Sequence, residues 1–236
     1  MPNKLLIIIP CYNEQASLPA LLAELDGVII PGYDITVIVV NDCSTDNTLA
    51  VAKQHKVKVI DLPINLGIGG AVQSGLLYAL QYNFDLAVQM DGDGQHPPKE
   101  LLKLITCYEA TGANLVIGSR FIEKEGFQSS STRRLGIGYF HWLNKAFTGM
   151  HIFDSTSGFR LFDKKAIELA AIDYPDEYPE PESLVYFSKA GLSIKETPVV
   201  MANRLSGQSS IRNFASLYYC IKVTIAMLFS AIRKPQ

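Results

Sequence analysis

LAVQMDGDGQHPP, residues 86–98, joins an apolar run to a glycine-rich acidic loop and then to a Pro-Pro pair typical of a helix start. Asp91 and Asp93 are two positions apart, and the glycines beside them permit a turn that lets both carboxylates face one point. These carboxylates and the Gln95 amide suit a hard cation, Mg²⁺ or Mn²⁺, which would hold a diphosphate. The stretch therefore predicts a strand, a metal-binding loop and a helix, with a ligand-free tight turn as the alternative.

Short, β-branched apolar runs alternate with segments of helical length in the first half of the chain. The runs lie at residues 5–9, 35–40, 57–60, 86–90 and 114–118. The segments predicted as helices lie at residues 16–25, 46–53, 68–81 and 98–111. This alternation predicts an α/β fold with a mostly parallel sheet and helices on both faces. Ligands bind beyond the carboxyl ends of such strands, so the residues after each run are the candidate site.

The pattern changes after residue 120. Residues 123–134 are polar and Ser-rich and predict a mobile loop. The remaining predicted elements are helices at 135–147 and 164–171, a helix that ends near 191, and a strand at 193–200. Because no repeat and no Pro- or Gly-rich linker divides the chain, we expect this half to complete the same domain and to form its acceptor side.

The composition excludes several classes of protein. With 236 residues, 48% hydrophobic and 19% charged, the chain predicts one globular core. A net charge of -2 without a basic and aromatic surface pattern argues against a nucleic-acid partner. The four cysteines lack zinc or CxxC spacing, and the apolar run at residues 5–9 is too short for a signal peptide. We therefore expect a reduced, cytoplasmic protein.

The tail is apolar and basic. Residues 214–232 carry one charge in nineteen residues, and residues 197–236 contain five basic residues and no acid. At about 1.5 Å per residue such a helix nearly crosses a bilayer. Lys222 near its middle and the basic flanks instead favour a helix that lies in the membrane interface. A helix packed on the domain or on a second subunit is the alternative, and the sequence leaves the oligomeric state open.

Three further strand ends suggest contacts to a ligand. The first run ends in PCYNE rather than in glycines, which argues against a dehydrogenase. Asp42 ends the second run and is predicted to accept hydrogen bonds from a base or a ribose, while Asp46 or Ser44 caps the next helix. In NLGIGGAVQSG, Gly69 and Gly75 are interpreted as helix-packing positions and Gly67 as a residue that lines the site.

Basic residues and histidines give weaker indications. Arg120 follows a buried run and needs a negative partner, for which Asp91, Asp93 or a phosphate is expected. Arg133 and Arg134 favour a solvated face, with phosphate binding as the alternative. His96, beside Pro97, is interpreted as a loop residue rather than a base.

Seven motifs together resemble the family 2 glycosyltransferases in their order and spacing. They are PCYNE, NDCSTD, NLGIGGAVQSG, MDGDGQHPP, GSRF, DSTSGFRLF and NRLSGQSSI. The chain is most similar to the branch that contains dolichol-phosphate mannosyltransferase and bacterial polyprenyl-phosphate glycosyltransferases. The resemblance covers roughly residues 4–212 and implies a GT-A fold, a Rossmann-like sheet, in residues 1–212. The apolar and basic C-terminal helix predicted from composition then occupies residues 213–236.

The resemblance also implies roles for individual residues. Those that would bind the nucleotide sugar are Pro10, Tyr12, Glu14, Val40, Asp42, Gly67, Asp91, Gly92 and Arg204. Those that would hold the metal are Asp91, Asp93 and Gln95, and Arg120 would face a phosphate of the donor or acceptor. Arg133 and Arg134 are assigned to the acceptor side, with Arg120, by their charge and not by a motif. Asp93, Glu182 and Arg120 are the expected catalytic residues.

Two positions depart from the pattern of that branch. Ser210 stands where a lysine is usual, which bears on the acceptor phosphate. Glu180-Pro181-Glu182 replaces a typical Gln-x-Glu segment. If the acceptor is a hydroxyl, a carboxylate is needed to take its proton, and Glu182 is the first candidate and Glu180 the second. The alternative is that both acids only favour a helix N-terminus.

The sequence thus predicts an inverting, metal-dependent transferase that moves a sugar from a nucleotide diphosphate to a polyprenyl phosphate in envelope glycan synthesis, at the cytosolic membrane face. Transfer to a hydroxyl of a lipid-linked or soluble saccharide is the first alternative. A non-catalytic nucleotide-sugar-binding module is the second. A nucleotidyltransferase is disfavoured because residues 10–14 contain no basic residue.

Overall fold

A computed structural model describes residues 2–55, 57–123, 131–202 and 215–232, with side chains described for all of these except 131–137 and 215–220. Seven strands form one sheet: β1 (Asn3–Cys11), β2 (Tyr33–Asn41), β3 (Lys58–Asp61), β4 (Leu86–Gln89), β5 (Leu115–Ser119), β6 (Arg160–Asp163) and β7 (Ile194–Pro198). The helices of the first half are α1 (Leu18–Asp26), α2 (Thr48–Gln54), α3 (Gly67–Gln81) and α4 (Leu101–Thr111), the last preceded by a 3₁₀ turn at Pro98–Glu100. Those of the second half are α5 (Ser131–Thr148), α6 (Lys164–Ile172), α7 (Pro179–Lys189) and α8 (Ala215–Ile232).

The strand order is β3-β2-β1-β4-β6-β5-β7, and only β6 runs antiparallel to its neighbours. The predicted α/β fold with a mostly parallel sheet is thus confirmed. The sheet is buried on both faces because alternate residues of β1 enter different clusters. Leu5, Ile7 and Ile9 pack in one cluster, and Leu6 and Ile8 pack in the other.

The strand β6 was not predicted, and it determines what lies beside β4. In the pairing of the two strands, Gln89 lies opposite Arg160. Because the strands are antiparallel, the segment that precedes β6 reaches the same edge of the sheet as the loop that follows β4. At its other end, β6 leads directly into α6, whose first turn is capped by a hydrogen bond from the Ala166 amide to the Asp163 side chain (2.8 Å).

The helix-packing interpretation of two glycines in α3 is confirmed. A Cβ at Gly75 would overlap the Ile8 side chain, and a Cβ at Gly69 would overlap the backbone of residues 175 and 176. The helix can therefore lie close to the sheet and to the loop before α7 only because these positions have no side chain.

The helix α5 begins at Ser131, inside the segment predicted as a loop. Residues 124–130 of that predicted loop lie outside the described residues.

The C-terminal helix α8 packs against the domain through one of its faces. Val223 and Met227 are buried in a small cluster with Phe140 and Leu143 of α5 and Val185 of α7. The alternative of a C-terminal helix packed on the domain therefore applies to this inner face of α8. Among the described residues, no helix combines the length and hydropathy that a membrane crossing requires.

Candidate active site

The loops after β1 and β2 are tied together by polar contacts. Asn13, which has a positive φ of 58°, accepts a hydrogen bond from the Thr45 amide at Oδ1 (2.8 Å). Its own amide donates to Ser44 Oγ (3.1 Å), and the Glu14 amide donates to Thr48 Oγ1 (2.8 Å). The two motifs PCYNE and NDCSTD therefore form one surface at the carboxyl edge of the sheet.

The N-cap position of α2 is Asn47 rather than the predicted Asp46 or Ser44, but Asp46 holds the turn before the helix. Its carboxylate accepts hydrogen bonds from the Thr48 amide (2.9 Å) and from the Gln15 amide (3.2 Å). Although burial acts in the opposite direction, these bonds and that of the Thr48 hydroxyl lower the pKa of Asp46. Asp46 therefore fixes the loop rather than offering a free acid to a ligand.

Asp42 is buried at the end of β2 and already has a backbone partner. Its Oδ1 accepts the Leu66 amide (2.6 Å), and its backbone oxygen accepts the Asn65 side chain (3.1 Å). These bonds bring the start of α3 beside the first two loops. Gly67, with a φ of 75°, adopts there the left-handed conformation that favours glycine.

The other predicted nucleoside contacts differ in exposure. Tyr12 is 50% exposed, whereas Val40 is fully buried opposite Pro10 in the sheet. Tyr12 thus offers an aromatic face to a ligand, and Val40 can reach one only through its backbone.

The acidic loop after β4 touches the end of β1. A Cβ at Gly92 would lie 2.7 Å from Cys11 Sγ and 3.2 Å from the Pro10 oxygen, so only glycine allows this approach. Asp93 is buried, and its Oδ1 accepts the Gln95 amide (2.9 Å). The side chain of Asp91 is 34% exposed and thus open to a ligand.

His96 organises this loop, a role that the sequence interpretation missed. It is buried, stacks on Phe159 with ring centroids 4.9 Å apart, and accepts the Asp91 amide at Nδ1 (3.0 Å). Because Nδ1 accepts a hydrogen bond, the neutral ring carries its proton on Nε2, which lies 3.8 Å from Asp91 Oδ2. His96 therefore orients the Asp91 backbone and faces its carboxylate.

Negative charge accumulates where these loops meet. The pKa of Cys11 is raised well above its usual value, first by burial and then by the charges of Glu14, Asp91, Asp46 and Asp93. Four carboxylates thus act on one thiol at the end of β1. A cation at this place would offset their mutual repulsion.

The residues present fit a hard divalent cation that keeps open coordination positions. Among the described residues, no group of three or more His, Cys, Asp or Glu side chains forms a complete protein cage for a metal. Two aspartates and an amide are, however, the kind of incomplete oxygen set that Mg²⁺ or Mn²⁺ completes with water and phosphate oxygens.

The partner expected for Arg120 is corrected by the structure. Its guanidinium forks onto Asp154, with Nε to Oδ2 and Nη2 to Oδ1 both at 2.7 Å. Burial opposes the charge, but the bond and charge of Asp154, followed by the charges of Asp91 and Glu180, raise the pKa of Arg120. Arg120 is only 8% exposed, so this fork leaves little of the guanidinium surface for a phosphate.

The two acids of α7 face different neighbours. Glu182 Oε1 accepts a hydrogen bond from Ser230 Oγ of α8 (2.8 Å). Glu180 is mostly buried and lies in the field of Asp91. Burial raises the pKa of Glu180, Asp91 raises it further, and Arg160 and a hydrogen bond from Gln89 act against this rise. Glu180, the second candidate of the sequence analysis, is therefore the acid that is coupled to the metal loop.

The sequence analysis also did not identify Arg160 and Gly158 as residues of the site. Arg160 is fully buried and donates to Ser183 Oγ (2.8 Å) and to the backbone oxygen of Glu180 (2.7 Å), which fixes the first turn of α7. A Cβ at Gly158 would lie 2.9 Å from both carboxylate oxygens of Asp91 and from Gln89 Nε2. An arginine in an otherwise apolar GFRLF run is the sequence signal that points to this buried centre.

Several predicted site residues lie outside the described part of the chain. Arg204 and Ser210 belong to residues 203–214, and α5 includes Arg133 and Arg134 only as backbone. The Ala202 amide, just before residues 203–214, donates to the Gln95 backbone oxygen (3.0 Å). The chain therefore lies beside the metal loop where that segment begins.

Comparison with known proteins identifies the family. The model of glycosyl transferase family 2 matches residues 6–169, and the chain belongs to this family. It is 31% identical over 217 residues to the undecaprenyl-phosphate mannosyltransferase of Micrococcus luteus, covering 88% of this chain and 87% of that protein. It is 30% identical over 220 residues to the UDP-N-acetylglucosamine--dolichyl-phosphate N-acetylglucosaminyltransferase of Methanococcus voltae, covering 84% and 86%.

A solved structure agrees in fold. The glucosyl-3-phosphoglycerate synthase of Mycobacterium tuberculosis, crystallised with Mn²⁺, UDP-glucose and phosphoglyceric acid, superimposes with a TM-score of 0.74 at 18% identity, covering 99% of this chain and 81% of that chain. The chain is therefore a glycosyltransferase of the GT-A fold, and both the predicted family and the predicted enzyme class are confirmed.

Proposed function

We propose that this enzyme transfers a sugar, with inversion, from a nucleotide diphosphate sugar to a polyprenyl phosphate in envelope glycan synthesis. The observation that carries the proposal is the acidic loop, whose Asp91 carboxylate is open to a ligand at the carboxyl edge of the sheet. Support for the acceptor comes from the two relatives, since the names of both specify a lipid-linked phosphate. Because those names differ in the sugar, the donor sugar is left open.

The donor is held from two sides in this proposal. Tyr12, Glu14 and Asp42, with the backbone of Pro10 and Val40, contact the nucleoside, and Gly67 and Gly92 allow the close approach of backbone. Asp91, Asp93 and Gln95 hold Mg²⁺ or Mn²⁺, which when bound supplies positive charge to the departing diphosphate. His96 keeps the loop oriented through the Asp91 amide. Asp91 and Asp93 would thus act on the departing diphosphate through the cation that they hold.

The acceptor determines whether a protein base is needed. A phosphate is ionised at neutral pH and attacks without losing a proton, so for this acceptor Arg133, Arg134 and Arg204 are proposed as its counter-charges. Arg120, held by Asp154, positions the end of β5. We place the enzyme on the cytosolic face of the membrane, as a peripheral protein.

Transfer to a saccharide hydroxyl remains the alternative, and one observation favours it. Glu180 is a mostly buried carboxylate coupled to the metal loop, and burial raises its pKa toward the range useful for a base. Under this alternative Glu180, rather than Glu182, takes the proton of the hydroxyl.

Calorimetric titration with UDP, GDP and dTDP, each with Mn²⁺ and with chelator, tests the proposal. We expect one nucleotide to bind, and only with metal. Asp93→Ala should abolish this binding, while Asp34→Ala, an exposed acid at the opposite end of β2, should not. Binding that is indifferent to metal, or unchanged in Asp93→Ala, would contradict the metal assignment.

Product analysis then separates the two acceptors. A glycosyl phosphate is labile to mild acid, whereas a glycoside survives. Transfer of label from the chosen nucleotide sugar to polyprenyl phosphate in an acid-labile product supports the main proposal. An acid-stable product that forms only with a saccharide, together with loss of turnover in Glu180→Gln, would replace it with the alternative. Failure of every nucleotide to bind would reject the proposed donor site.

A further inference from the structure

The helix α8 has a second apolar face that the domain does not cover. Opposite the buried Val223 and Met227, an exposed stripe runs the length of the described side chains: Ile221 (53% exposed), Ile225 (47%), Leu228 (47%), Phe229 (67%) and Ile232 (70%). Their spacing of three and four residues places them on one side of the helix. A helix that is apolar on its packed side and on its outer side is unusual for a protein surface in water.

The helix α5 continues this stripe. Tyr139 of α5 and Thr224 of α8 share a hydrogen bond (2.7 Å), so the two helices meet at that point. Trp142 is one turn after Tyr139 and is 63% exposed. We call the set Tyr139, Trp142, Ile221, Ile225, Leu228, Phe229 and Ile232 the apolar face.

The two helical segments that bear the apolar face carry cations and no acids in their sequence. Residues 131–148 contain two arginines and one lysine, residues 214–236 contain two lysines and one arginine, and neither segment contains an acid. Lys222 is paired with the exposed Glu177 that precedes α7 (3.0 Å), so the excess of positive charge comes from the other basic residues. An exposed apolar stripe with an aromatic residue at its border and an excess of cations complements an anionic lipid surface.

We propose that the apolar face docks on an anionic phospholipid bilayer, with α5 and α8 lying along the membrane plane and the Trp142 and Phe229 side chains entering the boundary between headgroups and acyl chains. This inference deepens the proposed function, because a lipid-linked acceptor must be met at a membrane. It also sets the orientation of the site. The inner face of α8 packs on α7, whose first turn carries Glu180, so docking fixes the orientation of α7 and of this end of the site relative to the membrane.

The fluorescence of Trp142 tests the docking, because it is the single tryptophan of the chain. The protein is titrated with vesicles of phosphatidylcholine alone and with about 30% phosphatidylglycerol, without any nucleotide sugar or acceptor. We expect the emission to shift to shorter wavelength and to be quenched by brominated acyl chains, with tighter partition to the anionic vesicles. Raised salt should weaken this preference.

Paired variants locate the surface. The double variant Ile225→Ser with Phe229→Ser should weaken partition to anionic vesicles by at least about tenfold, because it removes two large apolar groups from the lipid contact. The matched control is Ile29→Ser with Ile172→Ser, two residues that are 88% and 67% exposed elsewhere on the molecule. Thermal melts of both variants verify that each still folds.

The outcomes separate this inference from the proposed function. Absence of any vesicle-dependent change in Trp142 emission, or equal partition of the double variant, would overturn the docking even if transfer activity is found. If the apolar face instead joins two copies of the chain, sedimentation will show a dimer that the double variant dissociates, which also overturns it. Docking without nucleotide binding would uphold the surface and reject the transferase proposal.

Discussion

At the scale of single residues, Gly158 leaves no room for a side chain beside the Asp91 carboxylate. A methyl group there would lie 2.9 Å from both oxygens of the Asp91 carboxylate. Gly158→Ala should therefore displace Asp91 and weaken metal-dependent nucleotide binding by roughly tenfold or more, equivalent to about 1.4 kcal/mol. Calorimetry of the variant measures this directly.

The control for Gly158 is Gly27→Ala. A Cβ at Gly27 meets no atom within 4 Å, and its φ of -93° suits alanine. Equal nucleotide affinity in wild type and Gly158→Ala would show that Asp91 does not need its present position.

The stability of the fold should depend on pH through Glu180. Burial, followed by the charge of Asp91, raises its pKa, so the folded protein favours the protonated acid more than the unfolded chain does. The corresponding stability is present below the ordinary pKa of a glutamate and is lost as the pH rises through the raised value. Glu180→Gln keeps a neutral group, so its melting temperature should exceed that of the wild type at pH 8.

Thermal melts between pH 4 and pH 8 test this sign. The difference in melting temperature between Glu180→Gln and wild type should grow with pH and then level off. Glu168→Gln, on α6, serves as a comparison, and a constant or shrinking difference for Glu180→Gln would contradict the burial of a charge at this position.

At the scale of elements, α7 is held by α8 through polar contacts as well as by packing. Ser230 donates to Glu182, and Lys189 Nζ donates to the Ala231 oxygen (2.5 Å). Because Glu182 is used for this contact, we expect Glu182→Gln to retain activity within about threefold, an effect worth less than 1 kcal/mol. Steady-state transfer rates for both acceptor classes provide the measurement.

Ser230→Ala is the companion variant, since it removes the hydrogen bond, whereas Glu182→Gln keeps an amide oxygen that can accept it. Ser230→Ala should lose stability on the order of 1 kcal/mol, and Glu182→Gln should lose less. A loss of turnover of about a hundredfold in Glu182→Gln, with Ser230→Ala unaffected, would restore Glu182 as the base.

Sequence periodicity was sufficient for most of the elements because a parallel sheet covered on both faces needs continuous apolar strands between amphipathic helices. It missed β6, a strand of four residues that contains the buried Arg160 and therefore resembles neither pattern. The site residues divide in the same way. The positions of Asp42 and Asp91 could be predicted because both follow parallel strands, whose carboxyl ends meet at one edge of the sheet.

Asp154, Gly158 and Glu180 could not be placed in this way. They reach the metal loop only because β6 inserts antiparallel between β4 and β5, and a pairing between strands so distant in sequence leaves no local signal. The predicted carboxylate partner of Arg120, Asp91 or Asp93, was wrong for this reason, since the observed partner Asp154 precedes the strand that sequence analysis did not predict.

At the scale of the whole molecule, acidic and basic residues concentrate in different parts of the chain. Carboxylates gather around the end of β1, where they raise the pKa of Cys11 after burial has done so, and cations gather in the C-terminal segment. A cation that binds at the metal loop of the folded protein, and not to the unfolded chain, adds its binding free energy to the stability of the fold.

Metal and nucleotide together should therefore stabilise the protein more than either does alone. At a hundredfold excess over Kd, a bound ligand adds about 2.7 kcal/mol. For a domain of this size that corresponds to a rise of roughly 5–10 °C in the melting temperature. Scanning calorimetry with Mn²⁺, with the nucleotide, with both and with chelator measures the rise. Asp93→Ala should lose it, whereas Asp34→Ala should keep it. A rise with nucleotide that chelator leaves unchanged would show that the nucleotide binds without a metal and would contradict the metal assignment of this loop.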